Sequence, residues 1–219
     1  MVIDNKRLRV NAGFCSRTGR RDENQDYVGL CTGAALELDA AGQVAAIADG
    51  VSHGDGGRVA AELTVRGFLD GYYSASPTVG VAQNAVAVMA ALNGWLHVIA
   101  RDDTRLKHAS TTFTALVLQG RSAHVLHAGD TRAYHLHEDQ LTRLTLDHTL
   151  SQPDLNHVLS RAVGMEASIR LDHRVQSLRI HDRLVLCTDG VHATLDDRRL
   201  RELLLRRGCL LYTSDAADE

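Results

Sequence analysis

The chain has no stretch approaching the roughly 18 apolar residues that a membrane-spanning helix needs. Its first ten residues, MVIDNKRLRV, lack the apolar centre of a secretion signal. Cysteine is scarce: Cys15, Cys31, Cys187 and Cys209 form no CxxC pair and fit no zinc-site spacing. These absences predict a reducing, cytoplasmic setting with free thiols. Neither charge sign dominates. A net charge of −3 gives no electrostatic footprint for nucleic acid or for an anionic membrane. Internal repeats and low-complexity linkers are missing too, so any partner has to be argued from local sites.

What remains is an ordinary globular composition, 44% hydrophobic and 23% charged over 219 residues. That length suits one large domain with a real core. Leu8–Cys15 alternates loosely and reads as a strand, and Gln43–Ala48 reads as a buried strand stopped by a turn at Asp49-Gly50. Gly56–Tyr73 and Val79–Ala100 follow with helical spacing, the second presenting Val86, Met89, Leu92, Leu96 and Ile99 on one face. The period then shortens. Thr111–Leu118, Ala123–Ala128, Arg132–His137 and Gln140–Leu144 read as strands, and Asp154 is expected to cap a helix running to Val163. Arg183–Cys187 is a further strand closed by a turn at Asp189-Gly190, and Asp196–Arg207 is a final helix. Strand blocks around paired helices do not give regular βαβ alternation, so the pattern predicts an α+β fold.

Two Asp-Gly pairs close apolar strands, Ala46-Ile47-Ala48-Asp49-Gly50 and Leu186-Cys187-Thr188-Asp189-Gly190. An aspartate at a strand end reaches a cleft while its main chain stays fixed, and hard divalent cations take such oxygen ligands. Asp-Gly is also a common turn dipeptide, and one pair alone would read that way. A third acidic turn at Ala128-Gly129-Asp130, and a glycine cluster at Asp55-Gly56-Gly57 where a helix begins, shift the balance toward a site. Arg21 lies five residues before Asp26 and offers a planar fork that matches two phosphate oxygens. His124 and His127 are three apart on one strand and should face opposite sides of the sheet. Met89 and the aromatic residues read as core, and the Arg198-Arg199 pair as a solvated helix face.

Taken in order, RRDENQD (20–26), ADGVSHGDGG (48–57), STTFTALVL (110–118), HAGDTRAYHL (127–136), LSRAVG (159–164) and RLVLCTDGV (183–191) resemble the bacterial protein phosphatase 2C family of metal-dependent serine/threonine phosphatases. The resemblance covers about residues 8–205. It implies a four-layer α-β-β-α sandwich of two antiparallel sheets flanked by helices, with two or three Mn2+ or Mg2+ ions at one end. It implies that Asp49 bridges two ions and that the Gly50 carbonyl binds one of them. Asp189 is implied to bind the other ion, and Asp26 to stand just outside as a partner of bound water. Asp130 is implied to join Asp189 at a third ion, and Arg21 to hold the substrate phosphate. The implied substrates are phosphorylated proteins. A cognate Ser/Thr kinase, fused or separate, is an implied partner; no VAIK or HRD kinase signature occurs in these residues.

The chain departs from that pattern in two places. Val51 stands where eukaryotic members carry a histidine, and His53 nearby reads as a loop residue. No Asp-Asn pair follows Gly190; Asp4-Asn5 is the one such dipeptide. The tail CLLYTSDAADE resembles adapter-derived sequence, so residues 1–208 are expected to form a catalytic domain incomplete at its C-terminus. Residues 209–219 are then a non-native or disordered tail. Weak activity, or a pseudophosphatase that binds phosphoproteins without turnover, is the alternative expectation.

Overall fold

Period-two burial in the central strands sets the architecture. The computed structural model describes residues 8–31, 41–51, 56–76, 78–155 and 158–206. Strand β2 (Gln43–Asp49) sends Val44, Ala46 and Ala48 into one core. Strand β3 (Phe113–Gln119) sends Phe113, Ala115 and Val117 into the same core and Leu116 into a second one on its opposite face. A strand buried on both faces needs a layer on each side. Helices α1 (Gly56–Ser74) and α2 (Val81–Asp102) supply one layer, through Val65, Phe68, Tyr72, Met89 and Leu96. A second sheet supplies the other.

The first sheet is antiparallel, in the order β1-β2-β3-β4-β7, where β1 is Asp26–Cys31, β4 is Ser122–Ala128 and β7 is Asp172–Ser177. The second has the order β6-β5-β8, with β6 at Gln140–Arg143, β5 at Arg132–His137 and β8 at Arg183–Cys187. Leu116 and Val125 of the first sheet meet Ala133 and Leu144, with Leu184 and Leu186 packed against them, to form the inter-sheet core. Tyr134, Leu136 and Cys187 point outward under Leu200 and Leu204 of the helix at Asp197–Leu205. That helix is α4; the single-turn α3 (Asp189–His192) follows β8 directly. The four-layer α-β-β-α sandwich expected from the sequence is present. Among the described residues no helix is long and apolar enough to cross a membrane.

Several local expectations fail. Leu8–Cys15 is irregular rather than a strand, because alternation makes a strand only where another strand pairs with it. The helix expected over Asp154–Val163 is a single 3-10 turn at Pro153–Leu155. Beyond it the main chain is taken by distant partners: Ser160 N–H donates to His148 O at 2.8 Å, and Val163 and Thr111 exchange hydrogen bonds at 2.8 and 3.0 Å. Strands β1 and β7 were not expected. β1 is half-buried throughout, and β7 (DHRVQS) is an edge strand whose charged side chains mask the usual alternation. Asp189-Gly190 opens a helix instead of a turn. Val86, Trp95 and Phe14 are exposed rather than core. Asp4, Asn5, His53, Asp55, Pro77 and the tail from Cys209 lie outside the described residues.

Candidate active site

Four carboxylates arrive at one end of the sandwich, each delivered by a strand terminus. Asp26 opens β1 and stands directly opposite Asp49, the last residue of β2. Asp130 sits in the turn from β4 to β5, and Asp189 follows β8. The main chain beneath Asp49 is fixed by two threonines. Its N–H donates to Thr112 Oγ1 at 2.9 Å, and its carbonyl accepts from Thr111 Oγ1 at 2.8 Å and Thr112 N–H at 2.9 Å. Gly50 was expected to permit a turn, yet it extends the sheet through a bridge to Thr111 and donates its N–H to Gln25 O at 3.1 Å. Its glycine character has another cause: a Cβ here would overlap the Gly57 carbonyl at the start of α1. Asp26 accepts from Thr188 Oγ1 at 2.8 Å. Thr188 occupies the N-cap of α3 but makes no side-chain cap, since its hydroxyl is already committed to Asp26.

Burial and neighbouring negative charge suppress ionisation at Asp26, Asp49 and Asp130. Burial pushes the Asp49 carboxyl up to about 9, reinforced by the negative charges of Asp26 and Asp189 and by a hydrogen bond to Asp189. Asp130 rises to about 6, again from burial first and then from Asp189 and Asp147. Asp26 is also raised by burial, with the Thr188 hydrogen bond and the Arg21 charge working against the rise. Arg21 is exposed and lies within electrostatic reach of Asp26. The structure therefore brings together every residue the sequence singled out for the site: Arg21, Asp26, Asp49, Gly50, Asp130 and Asp189.

Crowded, half-buried carboxylates that hold protons above their ordinary range are oxygen donors waiting for positive charge. The donor chemistry fits Mg2+ or Mn2+. Among the described residues, however, no three acidic, histidine or cysteine side chains are already close enough to enclose an ion. The fit is one of donor type and placement.

Sequence reading passed over several supporting residues. Thr111, Thr112 and Thr188 lie inside quoted motifs, but nothing in a threonine's spacing shows that it will bond a carboxylate or its main chain. Arg132 forks onto Asp147, with Nη2 to Oδ2 at 2.7 Å and Nε to both oxygens at 3.2 Å, and this pair carried no signal either. His148 and His192 both touch the Asp130 turn. Cys15 precedes Arg21 with the Cys-x5-Arg spacing of thiol phosphatases. Cys15 is exposed on an irregular segment, and no helix follows Arg21 to supply the anion cradle such a thiolate needs. His124 stacks on His173 at the surface while His127 is buried, so they do face opposite ways.

Comparison with known proteins matches residues 16–214 to the profile of protein phosphatase 2C. The chain belongs to the protein phosphatase 2C family. Among curated proteins, this phosphatase is similar to the serine/threonine phosphatase Stp of Listeria innocua, 25% identical over 225 residues, covering 94% of this chain and 87% of the relative. It is also similar to the serine/threonine protein phosphatase PstP of Mycobacterium tuberculosis, 26% identical over 183 residues; that match covers 75% of this chain but 35% of the relative. Among solved structures, a serine/threonine phosphatase from Staphylococcus aureus superposes with a TM-score of 0.82 at 21% identity, covering 96% of this chain and 88% of that one. The superposition speaks for the fold, and the family profile speaks for membership.

Proposed function

We propose that this phosphatase hydrolyses phosphoserine and phosphothreonine esters on proteins, with two or three Mn2+ or Mg2+ ions held by Asp49, the Gly50 carbonyl, Asp130 and Asp189, and with Asp26 holding metal-bound water just outside them. The observation that carries the reading is the set of four mutually repelling carboxylates at the strand ends, in a chain of this family. When bound, such ions neutralise the charge of a phosphate ester and make water a competent nucleophile at neutral pH.

The protein's own groups have distinct tasks. Asp49 is the hub, because its carboxyl interacts with Asp26, Asp189 and Asp130 alike. Its main chain, tied to Thr111 and Thr112, keeps that hub still. Thr188 holds one oxygen of Asp26, and Asp26 also shares a hydrogen bond with Asp49. Arg21, exposed and within electrostatic reach of Asp26, would fork two non-bridging phosphate oxygens and orient the ester for in-line attack. No cysteine needs a covalent role: Cys187 is buried and its thiol pushed up to about 12 by that burial. Residues 1–208 would form the catalytic domain, acting in the cytoplasm. Phosphorylated proteins are its substrates, and a cognate Ser/Thr kinase belongs among its partners.

The test is hydrolysis of para-nitrophenyl phosphate and of a phosphothreonine peptide with added Mn2+. Turnover that requires Mn2+ and disappears in Asp49→Asn is the expected outcome. Tight binding of the phosphopeptide without turnover would instead make this chain a phosphoprotein-binding module, and neither turnover nor binding would sink both readings.

A further inference from the structure

Asp130 stands on a turn with no stiffness of its own. Gly129 lies at φ +114°, a conformation open to glycine and strained for other residues, and a Cβ there would sit 2.6 Å from Thr112 Cβ. The turn's shape is imposed by neighbours. His148 grips Gly129 twice: its N–H donates to Gly129 O at 2.7 Å, and its ring Nδ1 lies 3.0 Å from Gly129 N. On the far side, His192 Nε2 lies 3.0 Å from Asp130 O. A carbonyl can only accept, so His192 donates there. An amide N–H can only donate, so His148 Nδ1 must be the unprotonated nitrogen.

That second deduction fixes the tautomer. His148 carries its proton on Nε2 and donates it to Asp172 Oδ2 at 3.1 Å. The other oxygen of Asp172 takes Arg161 Nη1 at 2.8 Å. Arg161 Nη1 also lies 3.0 Å from His148 Nε2, but with a proton on both nitrogens this is a contact and not a hydrogen bond. The chain of connections runs from Arg161, through Asp172 on the edge strand β7, through one defined imidazole, to the Ala128–Gly129 peptide, one residue short of Asp130, while the His148 main-chain N–H holds the Gly129 carbonyl beside it.

We infer that His148, held in one tautomer by Asp172 and Arg161, is a positioning residue that sets the Asp130 carboxylate and thereby the affinity of that position for a divalent cation. This rests on the reading of Asp130 as a cation ligand. A histidine that merely filled space beside His127, whose ring is 4.7 Å away, would tolerate any replacement of similar volume. A positioning histidine responds to which nitrogen is kept. In His148→Asn the amide oxygen falls where Nδ1 was and can still accept from Gly129 N–H. In His148→Gln the amide nitrogen falls where Nε2 was, and the acceptor facing Gly129 is lost.

The experiment titrates the full chain with Mn2+, counting bound ion by electron paramagnetic resonance and following the thermal midpoint in parallel. Wild type, Asp130→Asn, His148→Asn and His148→Gln are compared. His148→Gln should weaken, by about tenfold, the same Mn2+ position that Asp130→Asn removes, as losing a ligand's supporting hydrogen bond typically does. His148→Asn should stay near wild type at that position, although both variants lose thermal stability. Equal Mn2+ binding by the Asn and Gln variants overturns the inference while leaving Asp130 as a ligand. Wild type and Asp130→Asn binding Mn2+ alike would overturn the ligand reading and this inference with it. If His148→Gln does not fold, Asp172→Ala decides: it lies on the half-exposed edge strand, should free the ring to rotate, and should lower affinity severalfold. Unchanged Mn2+ binding in that variant refutes the assignment.

Discussion

Gly50 and Gly94 have the same side chain and opposite prospects. At Gly50 an added methyl would meet the main chain of Gly57, which cannot yield without moving α1. Gly50→Ala is therefore expected to destabilise by about 3 kcal/mol, the upper range for overpacking a tight site. At Gly94, inside α2, a Cβ meets nothing within 4 Å. Gly94→Ala should stabilise by about 0.5–1 kcal/mol through helix propensity alone. Urea midpoints of the two variants check both signs. His127 makes a pH prediction. Burial, with His148 close by, lowers its imidazole to about 4. Its Nε2–H donates to Leu146 O at 2.9 Å and Nδ1 accepts from Thr114 Oγ1 at 2.9 Å, so the folded state needs it neutral. An unfolded histidine protonates near pH 6.5, so as pH falls the unfolded chain gains the proton first. Its contribution is complete above about pH 6.5 and shrinks down to about pH 4, by on the order of 3 kcal/mol. His127→Gln should be less stable at pH 7 and show a flatter loss between pH 6.5 and 4 in denaturant titrations. An unchanged slope would contradict this account.

At the scale of elements, α4 depends on its first turn. Asp196 caps it by accepting from Arg199 N–H at 2.7 Å, and Leu200 and Leu204 then pack onto Tyr134, Leu136 and Cys187. Asp196→Ala should cost about 1 kcal/mol, as loss of a side-chain cap usually does. Leu204→Ala should cost about 2–4 kcal/mol by opening a cavity over the second sheet. Chemical denaturation separates the two. The failed expectations also belong to this scale. The segment after Asp154 carries apolar residues at helical spacing, but Val163 and Ser160 find extended partners at Thr111 and His148. Strand β7 lacks an apolar stripe because it needs one partner, β4, and no cover on its charged positions. A period read along the chain cannot see a hydrogen bond that closes from fifty residues away.

Across the whole molecule, stability should fall from the middle of the sandwich to its edges. β2, β3 and β4 lie inside the five-stranded sheet, between the helix layer and the inter-sheet core, while β1 and β7 are its edges and β6 and β8 those of the second sheet. Amide exchange is expected to be slowest in β3 and fastest over residues 8–25 and β7, because only global opening frees the central ladder. Slow exchange in β7 would show that edge to be covered. The same gradient places the site, whose carboxylates stand where buried strands end. That much was written in the chain: apolar runs stopping at Asp49 and Asp189, an acidic turn at Asp130, and an arginine ahead of Asp26 were legible because strand burial and strand ends are local patterns. The sequence by itself determined the fold class, the family and which charged groups gather at the strand ends of the candidate site. Only the tertiary structure decided how those groups are held, because Thr188 reaches Asp26 across 162 residues of chain and His148 reaches Gly129 across 19. A carboxylate announces itself by type, whereas its support is a matter of which distant donor the folded main chain happens to bring within 3 Å, and no spacing rule encodes that.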